Sequence, residues 1–162
     1  MTDETGFTEF VSQNGDALLR TTRLLLRDNA EAQDLLQTAL LRLSKRWPVD
    51  HPHAYIRRVL VNLTRDRSRR RHLVPEPAET REDRLEALPD HADAYASQAA
   101  LEQLLALLPA KQRAAVVLRV IEGLTEAEAA AALRCSPGTV ASNLSRGLAR
   151  LRTDLPQGAT HD

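Results

Sequence analysis

Two helix-start signals lie close together near the C-terminal end of the chain. Thr125 followed by Glu128 fits a capping box, in which hydroxyl and carboxylate satisfy each other's orphan backbone N–H groups. Ser136 followed by Pro137 fits an N-cap with proline in the first turn, where its missing N–H costs nothing. The chain from Gly123 to Arg152 must therefore fold as two helices about a tight turn. The small-residue run Ala129 to Leu133 lets the helices approach closely. In the second helix Val140, Leu144, Leu148 and Leu151 recur at three- and four-residue steps and form an apolar stripe. Thr139, Asn143, Arg146 and Arg150 recur the same way on another face, and each can contact nucleic acid. A short helix, a turn and a helix with one apolar and one polar-basic face describe a helix-turn-helix reader. An ordinary helical hairpin with a solvated polar face is the competing reading.

The rest of the chain supplies no strands to pack against. No run of alternating β-branched residues appears, and aromatics are few, so Leu, Val, Ile and Ala must build the core. An all-α protein is expected. Its 162 residues suit one domain or two small ones. The charges are segregated although they cancel overall. Residues 1–41 hold 3 basic and 7 acidic groups, and residues 42–72 hold 10 and 2. Residues 73–102 hold 2 and 8, and residues 103–162 hold 7 and 5. The neutral total thus hides a block of net charge +8 suited to a polyanion, followed by one of −6.

In residues 30–47, Ala32, Leu36, Ala39, Leu40, Leu43 and Trp47 fall on one helical arc and make a core stripe. The opposite side carries Asp34, Thr38, Leu41 and Lys45, with Gln37 adjoining. Leu41 points away from the stripe, either as a lone exposed leucine or as the centre of a protein-docking patch. Pro48 ends this helix, and the segment to His53 reads as a loop. Residues 54–71 form the next helix, with Ile56, Val59, Leu60 and Leu63 as core stripe. Arg58, Asn62, Arg65 and Arg69 line up on roughly the opposite face, and Arg67, Arg70 and Arg71 thicken its C-terminal end. Helix-dipole compensation needs one or two arginines, not seven. A guanidinium row containing an Asn suits phosphate tracking with contact to base edges.

Upstream, Thr2 to Gly6 reads as frayed, and Gly15 as a break in a first helical region that runs to Leu25. Downstream, the Pro- and Glu-rich residues 73–97 read as a flexible acidic linker. Leu101 to Leu108 and Ala110 to Glu122 form two further helices, the second stopped by Gly123. Leu104, Leu107, Val116, Val117, Val120 and Ile121 are expected to pack under the helix-turn-helix. Cys135 is the only cysteine, which excludes an internal disulfide and suits a buried small hydrophobe. His51 and His53 lack further ligands for a metal, so no metal or cofactor is expected. Gly-rich phosphate loops and Ser/His/Asp constellations are absent, which argues against an enzyme. No membrane insertion and no signal peptide are expected, hence a cytoplasmic protein.

The segments DLLQTALLRLSKRW (34–47), AYIRRVLVNLTRDRSRRR (54–71), LPAKQRAAVVLRVIEGLTEAEAAAAL (108–133) and CSPGTVASNLSRGLARLR (135–152) resemble extracytoplasmic-function sigma factors of bacterial RNA polymerase, most nearly the actinobacterial sigma-E group. The resemblance covers about residues 7–72 and 98–153. It implies two small helical domains, a region 2-like unit over 7–72 and a region 4-like unit over 98–153, joined by the acidic linker 73–97. It further implies that Asp34, Gln37, Thr38 and Leu41 face the clamp helices of the polymerase's largest subunit. Arg58, Asn62, Arg65 and Arg69 would then face the −10 promoter element. The loop from Pro48 to His53 would help hold an extruded base. Ser136, Thr139, Asn143, Arg146 and Arg150 would face the −35 element, with this domain resting on the flap of the second large subunit. An anti-sigma factor is a possible further partner. Ala141 and Asn143 stand where the group commonly has basic residues, and Thr38 where it has an acidic one. Fewer positive charges imply weaker phosphate attraction and a flatter salt dependence. A stand-alone helix-turn-helix regulator, or a module that binds polymerase or an anti-sigma factor and reads DNA weakly, are the alternatives.

Overall fold

The computed structural model describes residues 3–73 and 93–154, with side chains over 3–70 and 97–153. The expected linker and the C-terminal tail therefore fall largely outside the described residues. Every regular element among the described residues is helical. Helix α1, Glu4–Leu25, starts earlier than the sequence suggests, because Asp3 caps it by accepting from the Gly6 N–H at 3.0 Å. It also runs unbroken through Gly15. Asp28 caps a 3₁₀ turn, Asn29–Glu31, by accepting from the Ala30 N–H. Helix α2, Ala32–Arg46, follows directly and buries Ala32, Leu35, Leu36, Ala39 and Leu43. Trp47 leaves the helix in an extended conformation before a cis peptide to Pro48. Its ring packs edge-on to Phe7 at 5.6 Å and tilted against Phe10 at 5.7 Å, so it closes the bottom of the core. Helix α3, Pro52–Leu73, starts inside the expected loop, and His53 in its first turn lies edge-on to Phe10.

The second group of helices begins with α4, Asp93–Ala106, whose start lies in the stretch read as linker. Helix α5, Ala110–Val116, continues into a single π turn, Val117–Ile121, and ends at Gly123 with φ 70°. Glycine tolerates that left-handed conformation without a Cβ penalty. The π turn corrects one expectation. A wider turn inserts an extra residue and shifts the apolar phase, so Leu118 is fully buried while Val120 and Ile121 are 55% and 40% exposed. Helix α6, Glu126–Leu133, carries the expected capping box, with Thr125 and Glu128 exchanging bonds of 3.1 Å. Arg134, at φ 54°, closes it in the left-handed region. Helix α7, Pro137–Asp154, lies against α5 so closely that a Cβ on Gly147 would sit 3.0 Å from Val116 Cγ2. Cys135 is half-buried against the same core.

One continuous cluster of buried side chains runs from Phe10 to Val140. Helix α1 packs on α4 and α5, and α3 packs on both α2 and α6. Cover on a second side explains why Val61 and Thr64 of α3 are buried although they lie outside its expected stripe. Arg113 ties the two helix groups together and is only 6% exposed. Its Nε donates to Leu105 O at 3.0 Å, Nη2 to Leu108 O at 2.7 Å and Nη1 to Leu25 O at 3.1 Å. A rigid fork of donors satisfies three carbonyls at helix ends, which a buried charge requires.

Candidate nucleic-acid interface

Helix α2 buries one side completely and leaves Asp34, Gln37, Thr38 and Leu41 exposed along the other. Leu41 is 57% exposed. The Thr38 hydroxyl donates to Asp34 O at 3.0 Å, which turns its proton toward the backbone. Asp34 and Thr38 also edge a groove of about 180 Å³ between α2 and α3, lined further by Arg42, Asp66, Arg67 and Arg70. Arg67 also forms an ion pair with Glu31.

On α3 the four residues of the basic row differ in environment. Arg58 and Arg69 are exposed, whereas Asn62 and Arg65 are half-buried. Arg65 Nη1 donates to Leu133 O, the last carbonyl of α6, at 2.6 Å. Periodicity places Arg65 on the right face but gives no hint of this partner, because the contact spans both helix groups. Arg57, beside the row, acts on α6 as well. The Glu128 carboxyl is held below the usual glutamate range by the Thr125 N–H first, then by the Thr125 hydroxyl and the Arg57 charge.

At the start of α7, Ser136 is the expected cap. Its Oγ accepts from the Thr139 N–H at 3.1 Å and lies 2.9 Å from Thr139 Oγ1. Ser136, Thr139, Arg146 and Arg150 are exposed and Asn143 is half-buried, while Val140 beneath them is fully buried. The dipole at this helix N-terminus favours phosphate. The turn-and-helix geometry thus presents polar and guanidinium groups outward on a rigid apolar base. Among the described residues no three His, Cys, Asp or Glu side chains converge as a metal site. No described helix is long and apolar enough to cross a membrane.

Comparison with known proteins agrees with this geometry. The family model for sigma-70 region 2 matches residues 10–73, and that for sigma-70 region 4 matches residues 98–151. The chain is 44% identical to the RNA polymerase sigma-E factor of Streptomyces avermitilis, over 92% of this chain and 84% of that one. It is 43% identical to the sigma-E factor of Streptomyces coelicolor, over 92% and 85%. The ECF RNA polymerase sigma factor SigE of Mycolicibacterium smegmatis is 32% identical over 91% of this chain and 60% of its own length. Among solved structures, CnrH in complex with the cytosolic domain of CnrY superposes with a TM-score of 0.65 over 93% of this chain and 88% of that one, at 24% identity. The sigma factor RpoE of Bartonella quintana, in complex with the anti-sigma factor NepR, gives 0.63 over 91% and 95%, at 23% identity. These two likenesses concern the fold. The two family-model matches and the sigma-E relatives show that the chain belongs to the sigma-70 family as an extracytoplasmic-function sigma factor, a non-catalytic subunit that binds core RNA polymerase and promoter DNA and initiates transcription.

Proposed function

We propose that the outer face of α2, with Asp34, Gln37, Thr38 and Leu41, docks on the clamp helices of the polymerase's largest subunit. The observation that carries this is Leu41, 57% exposed at the centre of a polar strip on a helix whose other side is buried. A large apolar side chain ringed by polar groups is the anatomy of a protein interface. Arg58, Asn62, Arg65 and Arg69 of α3 then engage the −10 element, where guanidiniums track phosphate and Asn62 meets base edges. The loop before α3 lies where an extruded base is held, and unstacking it costs a few kcal/mol that the binding contacts must offset.

In the same reading α7 enters the major groove at −35 through Ser136, Thr139, Asn143, Arg146 and Arg150, and its domain rests on the flap of the second large subunit. Asn143 is suited to the N6 and N7 edge of an adenine. The fold likeness to a sigma factor held by NepR supports an anti-sigma partner for this chain. The protein acts in the cytoplasm, where polymerase and promoter are. Leu41→Asp tests the docking surface: the variant stays folded and loses core binding by at least about tenfold, the loss of one interface anchor worth over 1 kcal/mol. A folded variant with unchanged affinity for core removes the α2 assignment.

A further inference from the structure

We propose that Arg134, in the turn between α6 and α7, grips a DNA phosphate at the leading end of the reading helix. The inference rests on the assignment of α7 to the −35 element made above and adds a residue to it. Two independent observations carry it. The first is conformational. Arg134 stands at φ 54° and ψ 47°, the one residue other than glycine with positive φ among the described residues. A Cβ is disfavoured there, and glycine is the usual choice at such a helix end. Costly backbone of this kind persists where the side chain it carries has a function. No role inside the fold accounts for it: Arg134 is exposed, and its side chain makes no hydrogen bond or ion pair among the described residues.

The second observation is a gap in charge. Residues 136–145, the half of α7 placed to meet base edges, contain no Lys or Arg. The first cation on the helix is Arg146, about 15 Å along the axis from Ser136. Hydroxyls and an amide at Ser136, Thr139 and Asn143 can read bases but neutralise no phosphate. Arg134 lies just before the cap and is the cation closest in sequence to that end. Its base is fixed, because the N–H groups of Arg134 and Cys135 both donate to Ala130 O, the second at 3.1 Å, and Cys135 packs half-buried against the core. From there a planar fork of donors suits the oxygens of a phosphate. With Arg146 and Arg150 beyond, guanidiniums bracket the uncharged segment at both ends. Such a contact carries no base information and acts by setting the register of α7 on the duplex.

The test compares Arg134→Gly, Arg134→Gln and Arg134→Lys as full chains assembled with core polymerase. The probe is a promoter-length duplex that the parent holoenzyme selects from a random-sequence pool, and its affinity is measured by filter binding from low to high salt. Glycine removes the charge and the Cβ, whereas glutamine removes the charge alone. Both should lower the steepness of log affinity against log salt by about 0.9, one phosphate on duplex DNA, so that each falls behind the parent by about eightfold for every tenfold dilution of salt. Lysine should keep the parent slope, because an ammonium also holds phosphate as a point charge. Stability moves differently: the Tm of the free chain rises for Arg134→Gly, which relieves the left-handed backbone, and stays at the parent value for Arg134→Gln. Parent slopes in the glycine and glutamine variants overturn the phosphate contact. So does a loss of slope in Arg134→Gly that Arg134→Gln does not share, since charge would then not be its cause. A lower Tm for Arg134→Gly overturns the argument from strain. Affinity for core without DNA stays at the parent value, and a loss there assigns Arg134 to the polymerase instead. Duplex binding indifferent to Thr139→Ala with Asn143→Ala overturns the assignment of α7 itself, whereas an effect of that pair with none at Arg134 overturns the Arg134 contact alone.

Discussion

Arg113→Met separates a buried charge that holds helix ends from one that is merely enclosed. Methionine keeps most of the stem volume and removes all three donors. Of the three carbonyls, Leu105 O retains the Leu108 N–H at 3.1 Å, so it is not orphaned. Leu25 O and Leu108 O lose their guanidinium donors, at 3.1 and 2.7 Å, both in buried surroundings. An unsatisfied buried carbonyl costs about 1–3 kcal/mol, which sums to about 2–6 for the pair. Removing a guanidinium from a dry site returns part of that, since a buried charge carries its own desolvation penalty. A net loss of about 3 kcal/mol is expected, which for a chain of this length lowers Tm by about 6–12 °C. Thermal unfolding followed by circular dichroism measures it. Arg113→Lys should recover less than half of the loss, because a single ammonium cannot address three directions as a planar fork does. A Tm within about 2 °C of the parent for Arg113→Met would refute the reasoning, since the carbonyls would then have found other partners at no cost.

Other perturbations probe different parts of the fold. Gly147→Val puts branched carbon into a space where even a Cβ lies 3.0 Å from Val116 Cγ2. It should cost about 1–3 kcal/mol in urea unfolding, while Gly147→Ala stays near neutral because a helix-propensity gain of about 1 kcal/mol offsets the contact. Thr125→Ala removes one half of the capping box and should cost about 1 kcal/mol. The Glu128 carboxyl titrates below the usual range in the folded chain. Its contribution is thus full above the unfolded value of about 4.3 and is lost as pH falls through the lower folded value. The stability difference between the parent and Glu128→Gln should therefore shrink in acid, and a difference constant from neutral pH into that range would contradict this.

Local signals carried most of the scaffold. Capping residues at Thr125 and Ser136, the Gly123 stop and the α2 stripe depend on neighbours within a turn or two, which a sequence displays directly. What stayed hidden depends on contacts between distant segments. Val61 and Thr64 are buried on a helix that packs on α6 as well as on α2, and α6 lies some seventy residues away, roughly the span of the Arg65–Leu133 contact. The same distance hides the hydrogen bond that makes Arg65 unlike Arg58. Arg113 reads as a surface charge in a basic sequence until three carbonyls from two helix ends surround it. Val120 and Ile121 were misplaced for another reason: strict 3.6-residue periodicity has no means of announcing a π turn. For the candidate interfaces, helical spacing gave the faces of α2, α3 and α7, whereas the state of each side chain on those faces depended on packing.

The π turn between α5 and Gly123 also bears on how this chain tolerates changes in length. A wide turn of this kind is what one additional residue inside an α-helix produces. Deleting Val120, exposed and outside the core, would let the segment relax to ordinary α spacing. Every residue beyond the deletion would then be rotated by about 100° relative to α5. The reading helix α7 cannot follow that rotation and keep its seat on α5, where a Cβ on Gly147 would already lie 3.0 Å from Val116 Cγ2, so the deletion breaks that packing unless the turn at Gly123 absorbs it. The seat of the DNA-facing helix is thus tied to a count of residues, and an indel at this single point is expected to cost packing of Leu133 and Val140 in the hydrophobic interior.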